Sequence, residues 1–164
     1  MGIKDEQLVS LNARTSLDSP LKRDSLVLLH SRQLNLRPEP EVYIDNTNVN
    51  FYNDEGDNLL HISFRRVEKE IVFNSGPVGG DWGDEERVDL PGVFFRDDSY
   101  VIVYDHGDRY QILIDGRTVH YFTKRQGGEG TSVGYSVNDG TVSPIFSSTL
   151  GVVPSPHLNH VLDI

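Results

Sequence analysis

Between Arg109 and Lys124 the chain reads RYQILIDGRTVHYFTK: two runs dense in β-branched and aromatic residues (109–115 and 118–124), joined at Asp115-Gly116-Arg117. Asp-Gly suits the two-residue turn whose central positions both need positive φ, so this stretch predicts a β-hairpin. The same grammar runs along the chain. LVLLH (26–30), VNFY (49–52), LLHISFR (59–65), EIVFN (70–74) and YVIVYD (100–105) read as strands. NDEGDN (53–58), DHGD (105–108) and QGGEG (126–130) read as turns. No apolar stretch keeps helical spacing over three turns. Short strands recurring every ~8–12 residues predict an all-β sandwich or barrel. The 164 residues suit one domain spanning 1–164, large enough to bury a core without staples. RPEPEV (37–42) reads as a rigid surface loop and VVPSP (152–156) as the run-out of the fold.

Period-2 alternation assigns faces to these strands. Leu60, Ile62 and Phe64 point to one side and His61, Ser63 and Arg65 to the other. The first set is core; the second is a row of polar groups, each able to donate a hydrogen bond. Asn46, Asn48 and Asn50 share a face, Asn74 faces the way of Val72, and an extended DEER segment puts Glu85 and Arg87 together. If these strands are neighbours, one sheet face carries Asn46, Asn48, His61, Ser63, Arg65, Asn74, Glu85 and Arg87. The sole tryptophan, Trp82, stands at its rim in the glycine-rich GGDWG, with almost no apolar neighbours. Such a face suits a ligand covered in hydroxyls.

Several function classes are set aside. A net charge of −10 speaks against nucleic acid and anionic membrane surfaces as partners. No run has the length of a transmembrane helix, and the chain has no cysteine for disulfide or thiolate chemistry. MGIKDEQLVS lacks the apolar region of a secretion signal, so cytoplasmic synthesis is expected, with any route to the cell surface or wall a non-classical one. Glu85 and Glu86 are adjacent, so in a strand they face opposite ways and cannot form a glycosidase pair. There is no G-x-S-x-G, H-E-x-x-H or P-loop. His30 and His120 sit in strands as packing or surface residues. His157 and His160 have i, i+3 spacing without a helical pattern, so no metal site, cofactor or catalytic residue is expected.

The run His61-Ile-Ser63-Phe-Arg65, followed by Val72-Phe-Asn74 and Trp82-Gly-Asp-Glu85-Glu-Arg87, resembles the galectin signature H-x-N-x-R, V-x-N, W-x-x-E-x-R. Ser63 departs from it, standing where animal galectins usually have Asn. That serine, with IVFNS, W-G-x-E-E-R and DHGDRYQI, resembles mushroom galectins over roughly residues 42–125, with weaker strand-level similarity toward the ends. IDNTNVN and LLHISFRR are also similar to a galectin-related fungal branch that prefers chitooligosaccharides, in which the Trp position is not Trp. The resemblance implies a jelly-roll sandwich of two antiparallel sheets and a metal-independent, non-enzymatic lectin for β-galactosides, acting as a homodimer or homotetramer that cross-links glycans. It also implies roles: His61 and Arg65 on the axial O4 of galactose, Asn74 on O6, Trp82 flat against the ring, and Arg65, Glu85 and Arg87 on the next sugar.

Overall fold

The computed structural model describes residues 6–38 and 41–155. In chain order the strands are β1 (Gln7–Ser10), β2 (Ala13–Leu21), β3 (Leu26–Ser31), β4 (Asn46–Tyr52), β5 (Asn58–Arg65) and β6 (Glu70–Gly76), then β7 (Glu86–Asp89), β8 (Ser99–Asp105), β9 (Arg109–Ile114), β10 (Arg117–Thr123), β11 (Gly130–Val137) and β12 (Thr149–Ser155). No helix occurs among the described residues. The strands form two six-stranded antiparallel sheets, ordered β1-β12-β3-β8-β9-β10 and β2-β11-β4-β5-β6-β7. This is the expected two-sheet sandwich. At the β9–β10 hairpin both Asp115 (φ 49°) and Gly116 (φ 86°) take the left-handed conformation that Asp-Gly supplies at low cost.

The sheets meet through their alternating apolar faces. Phe51, Leu60, Ile62, Phe64, Ile71 and Phe73 of the β4-β5-β6 sheet are fully buried in one cluster with Val27, Val103, Ile112 and Ile114 of the other. Burying a side chain of this size contributes about 1.5–3 kcal/mol. One irregularity adjusts the alternation: Phe51 pairs with Leu60 but Tyr52 pairs with Asn58, so Leu59 is an extra residue in β5. That bulge lets both Leu59 and Leu60 reach the core.

Strands β1, β2, β11 and β12 are absent from the sequence reading, and β7 enters it only as the extended DEER segment. The 152–156 run-out expectation is corrected: residues 152–155 belong to β12, and Pro156 lies outside the described residues. Proline is accommodated there because β1 pairs with β12 only as far as Val152. Pro154, opposite Val27 of β3, lies past the end of the β1 ladder and needs no N–H on that side. Of the 37–42 loop, Arg37, Pro38 and Glu41 are exposed, and 39–40 lie outside the described residues, as do His157 and His160.

At one end of the β4-β5 pair, Arg66 and Asp45 are completely buried. Arg66 Nε and Nη2 donate to Asp45 Oδ1 at 2.9 and 2.6 Å, Nη1 donates to Asn35 O at 3.0 Å, and Nη2 also reaches Ser143 O. One guanidinium thus ties together three loops that end near the start of β4. Removing one partner of such a pair strands a buried charge, at about 3–5 kcal/mol. Asp45→Ala is therefore expected to lose that much stability in urea denaturation. An unchanged midpoint would show that the carbonyls alone hold Arg66.

Candidate functional site

Antiparallel register sets the polar residues of the outer sheet face in ranks: Asn50–His61–Asn74, then Asn48–Ser63–Val72–Arg87, then Asn46–Arg65–Glu70. Above the first two ranks opens a cleft of about 480 Å³, bordered by Asn48, His61, Arg65, Asn74, Trp82 and Glu85. The face derived from alternation is thus brought together. Three of its expected members stand back from the cleft: Asn46, Ser63 and Arg87 do not line it. Asn46 is buried, its backbone N–H donating to Thr141 Oγ1 at 3.0 Å. Ser63 is fully buried, and its Oγ accepts from Arg65 Nε at 3.1 Å, so it acts on the cleft through Arg65.

The row of donors also needs correction at His61. Asn50 Oδ1 accepts from Asn58 Nδ2 at 2.9 Å and from His61 Nδ1 at 2.6 Å. The imidazole proton therefore sits on Nδ1, and Nε2 is an acceptor. Beside it Arg65 is an obligate donor. The face presents an acceptor and a donor on alternate residues of one strand, a pair matched to a single hydroxyl, which needs both. Asn50 and Asn58 were not assigned to the site from sequence. Asn50 was legible as the third member of the Asn46/48/50 face, whereas Asn58 lay in a turn signal.

Carboxylates hold the arginines. Glu85 accepts from Arg65 Nη2 at 3.2 Å and from Arg87 Nη2 at 2.5 Å. Glu68 reaches both arginines, at 3.4 Å from Arg65 and 3.2 Å from Arg87, and Glu70 pairs with Arg87. Hydrogen bonding from Arg87, with the charge of Arg65, holds the Glu85 carboxyl below its ordinary pKa. Glu86 points elsewhere, to His120 Nε2 at 2.7 Å and Arg125 at 2.8 Å, which bears out the opposite-face reading of the two glutamates. Sequence reasoning missed Glu68 and Glu70, since an isolated acidic residue beside a turn carries no signal.

Trp82 is 55% exposed, and its ring lies 4.6 Å from that of His61 at 43°. Its loop is pinned from below: Gly83 N donates to Ser75 O at 3.0 Å, and Asn74 Nδ2 donates to Gly83 O at 2.9 Å. Upstream, Gly79 turns the chain at φ 70°. An exposed indole beside an acceptor–donor pair offers an apolar plate and a polar edge at once. The other described strand histidines pack: His30 stacks on Tyr100 at 4.5 Å and His120 on Phe73 at 4.4 Å.

Residues 16–140 match the family model of galactoside-binding lectins. The chain belongs to the galectin family. It is 35% identical over 145 residues to Galectin-1 of Coprinopsis cinerea, covering 88% of this chain and 93% of that one. It is 36% identical over 154 residues to the Anti-tumor lectin of Cyclocybe aegerita, covering 89% and 94%. The galectin LEC-6 of Caenorhabditis elegans has the same fold, with a TM-score of 0.66 over 93% of this chain and 99% of that one, at 16% identity. Both fungal relatives bear out the mushroom resemblance, and the match extends beyond residues 42–125 into β2 and β11.

In this galectin, burial and then the charge of Arg65 push His61 from 6.5 down to about 4, against the opposing pull of Glu85. Above pH 6.5 the imidazole is neutral in folded and unfolded chains alike, and its contribution to stability is complete. Below that, the unfolded chain takes up a proton that the folded one refuses, so stability declines as pH falls toward about 4. NMR titration of the His61 ring should show the Nδ1-protonated neutral form down to pH ~5 and a midpoint near 4. A midpoint near 6.5 would mean that the ring is solvated and free of Asn50.

Proposed function

We propose that this galectin is a non-enzymatic lectin that binds β-galactosides of the lactose and N-acetyllactosamine type in the cleft, and cross-links them as a homodimer or homotetramer. The observation that carries the reading is the acceptor–donor pair of His61 Nε2 and Arg65 beside the exposed Trp82. Galactose differs from glucose at C4. Its axial O4 leaves the C3–C4–C5–C6 side of the ring as an apolar patch, while O4 itself points away from that patch. Trp82 covers the patch as O4 donates to His61 Nε2 and accepts from Arg65. With an equatorial O4, both protein groups lose their partner, and a site built around a hydroxyl strongly rejects its misplacement.

Around that contact, Asn74 donates to O6, and Glu85, held by both arginines, meets a hydroxyl of the second sugar. Arg87, standing outside the cleft, serves by fixing Glu85. Ordering these forks in the free protein reduces the entropy lost on binding. A chitooligosaccharide specificity is the competing outcome, and Trp82 weighs against it because that branch lacks the tryptophan.

Calorimetry should find lactose bound, cellobiose unbound, and chitotetraose weaker than lactose. Trp82→Ala should cost about 2 kcal/mol or more of lactose affinity, as truncation of a central aromatic anchor does. A preference of the unmodified protein for chitotetraose would replace this reading with its competitor.

Support for association comes from the outer face of the other sheet. Tyr100, Ile102, Tyr104 and Val153 pack there over buried Leu26 and Leu28, while Val101 and Val103 of the same YVIVY run point into the core. Apolar residues on both faces exceed what a sheet with one face in water requires. A shallow site gains about 10²–10⁴ in avidity by pairing. Sedimentation at micromolar concentration should therefore give a multiple of the 18.5 kDa protomer mass, and a species at the protomer mass would count against cross-linking.

A further inference from the structure

Asn74 is held by more than its own sheet. Its Oδ1 accepts from Ser75 N at 2.8 Å and from Arg125 Nη1 at 3.0 Å, and one Nδ2 hydrogen is committed to Gly83 O. With the oxygen doubly occupied, the amide cannot flip, and one N–H remains for a ligand. Arg125 follows β10, at the edge of the opposite sheet, and crosses to the site sheet. Its Nη2 donates to Glu86 Oε2 at 2.8 Å, Glu86 Oε1 meets His120 Nε2 at 2.7 Å, and the guanidinium lies 4.7 Å over the Phe122 ring. The fork is therefore braced at both of its terminal nitrogens and by the Phe122 ring. Gly83 makes room for it, since a Cβ there would stand 2.7 Å from Arg125 Nη1.

We infer that Arg125 is a positioning residue that locks the Asn74 amide as a single fixed donor, and through it makes the cleft selective for galactosides that keep the C6 hydroxyl. The selectivity rests on the galactoside reading above. Without Arg125, Oδ1 would keep only the Ser75 N–H and one lone pair would be open to the ligand, so the amide could accept as well as donate and would discriminate weakly. Clamped between Arg125 and Gly83 O, it accepts nothing from the ligand and offers one N–H in one direction. The spared glycine also links the clamp to the neighbouring Trp82, because Gly83 is the residue through which the aromatic loop returns to the sheet.

The test compares lactose with 6′-deoxylactose by calorimetry in the unmodified protein, Arg125→Met, Arg125→Lys and Gly83→Ala. The unmodified protein should prefer lactose by about tenfold, the effect of one hydrogen bond lost with its partner left unmet. In Arg125→Met the preference should collapse toward unity, through a loss of lactose affinity with 6′-deoxylactose affinity unchanged. Arg125→Lys should restore the melting temperature through Glu86 but not the preference, since one ammonium cannot serve as a planar fork. Gly83→Ala, by displacing the guanidinium, should shift the preference the same way. A tenfold preference surviving in Arg125→Met, or equal losses for both sugars, would overturn the proposal. The Asn74 side-chain amide, followed by NMR in the free protein, should lose its protected proton in Arg125→Met. If the unmodified protein binds no lactose, the galactoside reading fails and the selectivity with it, while the amide signal still decides whether Arg125 holds Asn74.

Discussion

Leu60, Ile62 and Phe64 are fully buried, and His61, Ser63 and Arg65 alternate with them on the same strand. A one-residue slip of β5 between β4 and β6 would exchange the two sets, exposing three large apolar side chains and driving an arginine into the core. Each apolar side chain is worth about 1.5–3 kcal/mol of burial, and an unpaired buried charge costs more, so the register has no close competitor. Every feature of the cleft descends from that register. It sets His61 opposite both Asn50 and Asn74, and Arg65 opposite Glu70. The Leu59 bulge then returns Asn58 to the level where it can share Asn50 with His61.

The ion pairs divide into two kinds. Arg66 and Asp45 have no access to solvent, and their value is architectural: they join segments that no strand connects. Arg65, Arg87, Glu68 and Glu85 are partly exposed. Pairs like these add little to stability. Their value is orientation, since a guanidinium held by two carboxylates presents its remaining N–H groups in one direction. An acidic chain with Arg65 in its cleft is no contradiction, because the guanidinium is neutralised by Glu68 and Glu85 and offers directed hydrogen bonds, not a field of positive charge.

Trp82 shows what the glycine-rich loop accomplishes. A buried indole would need apolar neighbours, which GGDWG does not supply. An exposed one needs a rigid seat, which comes from the backbone contacts of Gly83 with Ser75 and Asn74. The ring is thereby fixed at the cleft without being covered, with the His61 ring tilted beside it.

The likeness to the galectin signature added the two-sheet jelly roll to what alternation along LLHISFR and the Asp-Gly hairpin could read, which was an all-β sandwich or barrel and a polar face with His61, Arg65, Asn74 and Glu85 and with Trp82 at its rim. Alternation and the hairpin are local signals: side-chain direction in a strand has period two, and turn chemistry depends on a few φ angles. Strands β2, β11 and β12 escaped because they are rich in Ser, Thr, Gly and Pro and owe their conformation to the ladders beside them. The sequence determined which residues could face a sugar. The tertiary structure decided what each has left to offer: that His61 Nε2 is an acceptor, that Ser63 and Arg87 bond neighbouring side chains, and that Asn46 stands back from the cleft. The physical reason is that a side chain's hydrogen-bonding role is set by the partners already bound to its other atoms. Those partners, Asn50 for His61 and Arg125 for Asn74, come from positions 11 and 51 residues away in the chain.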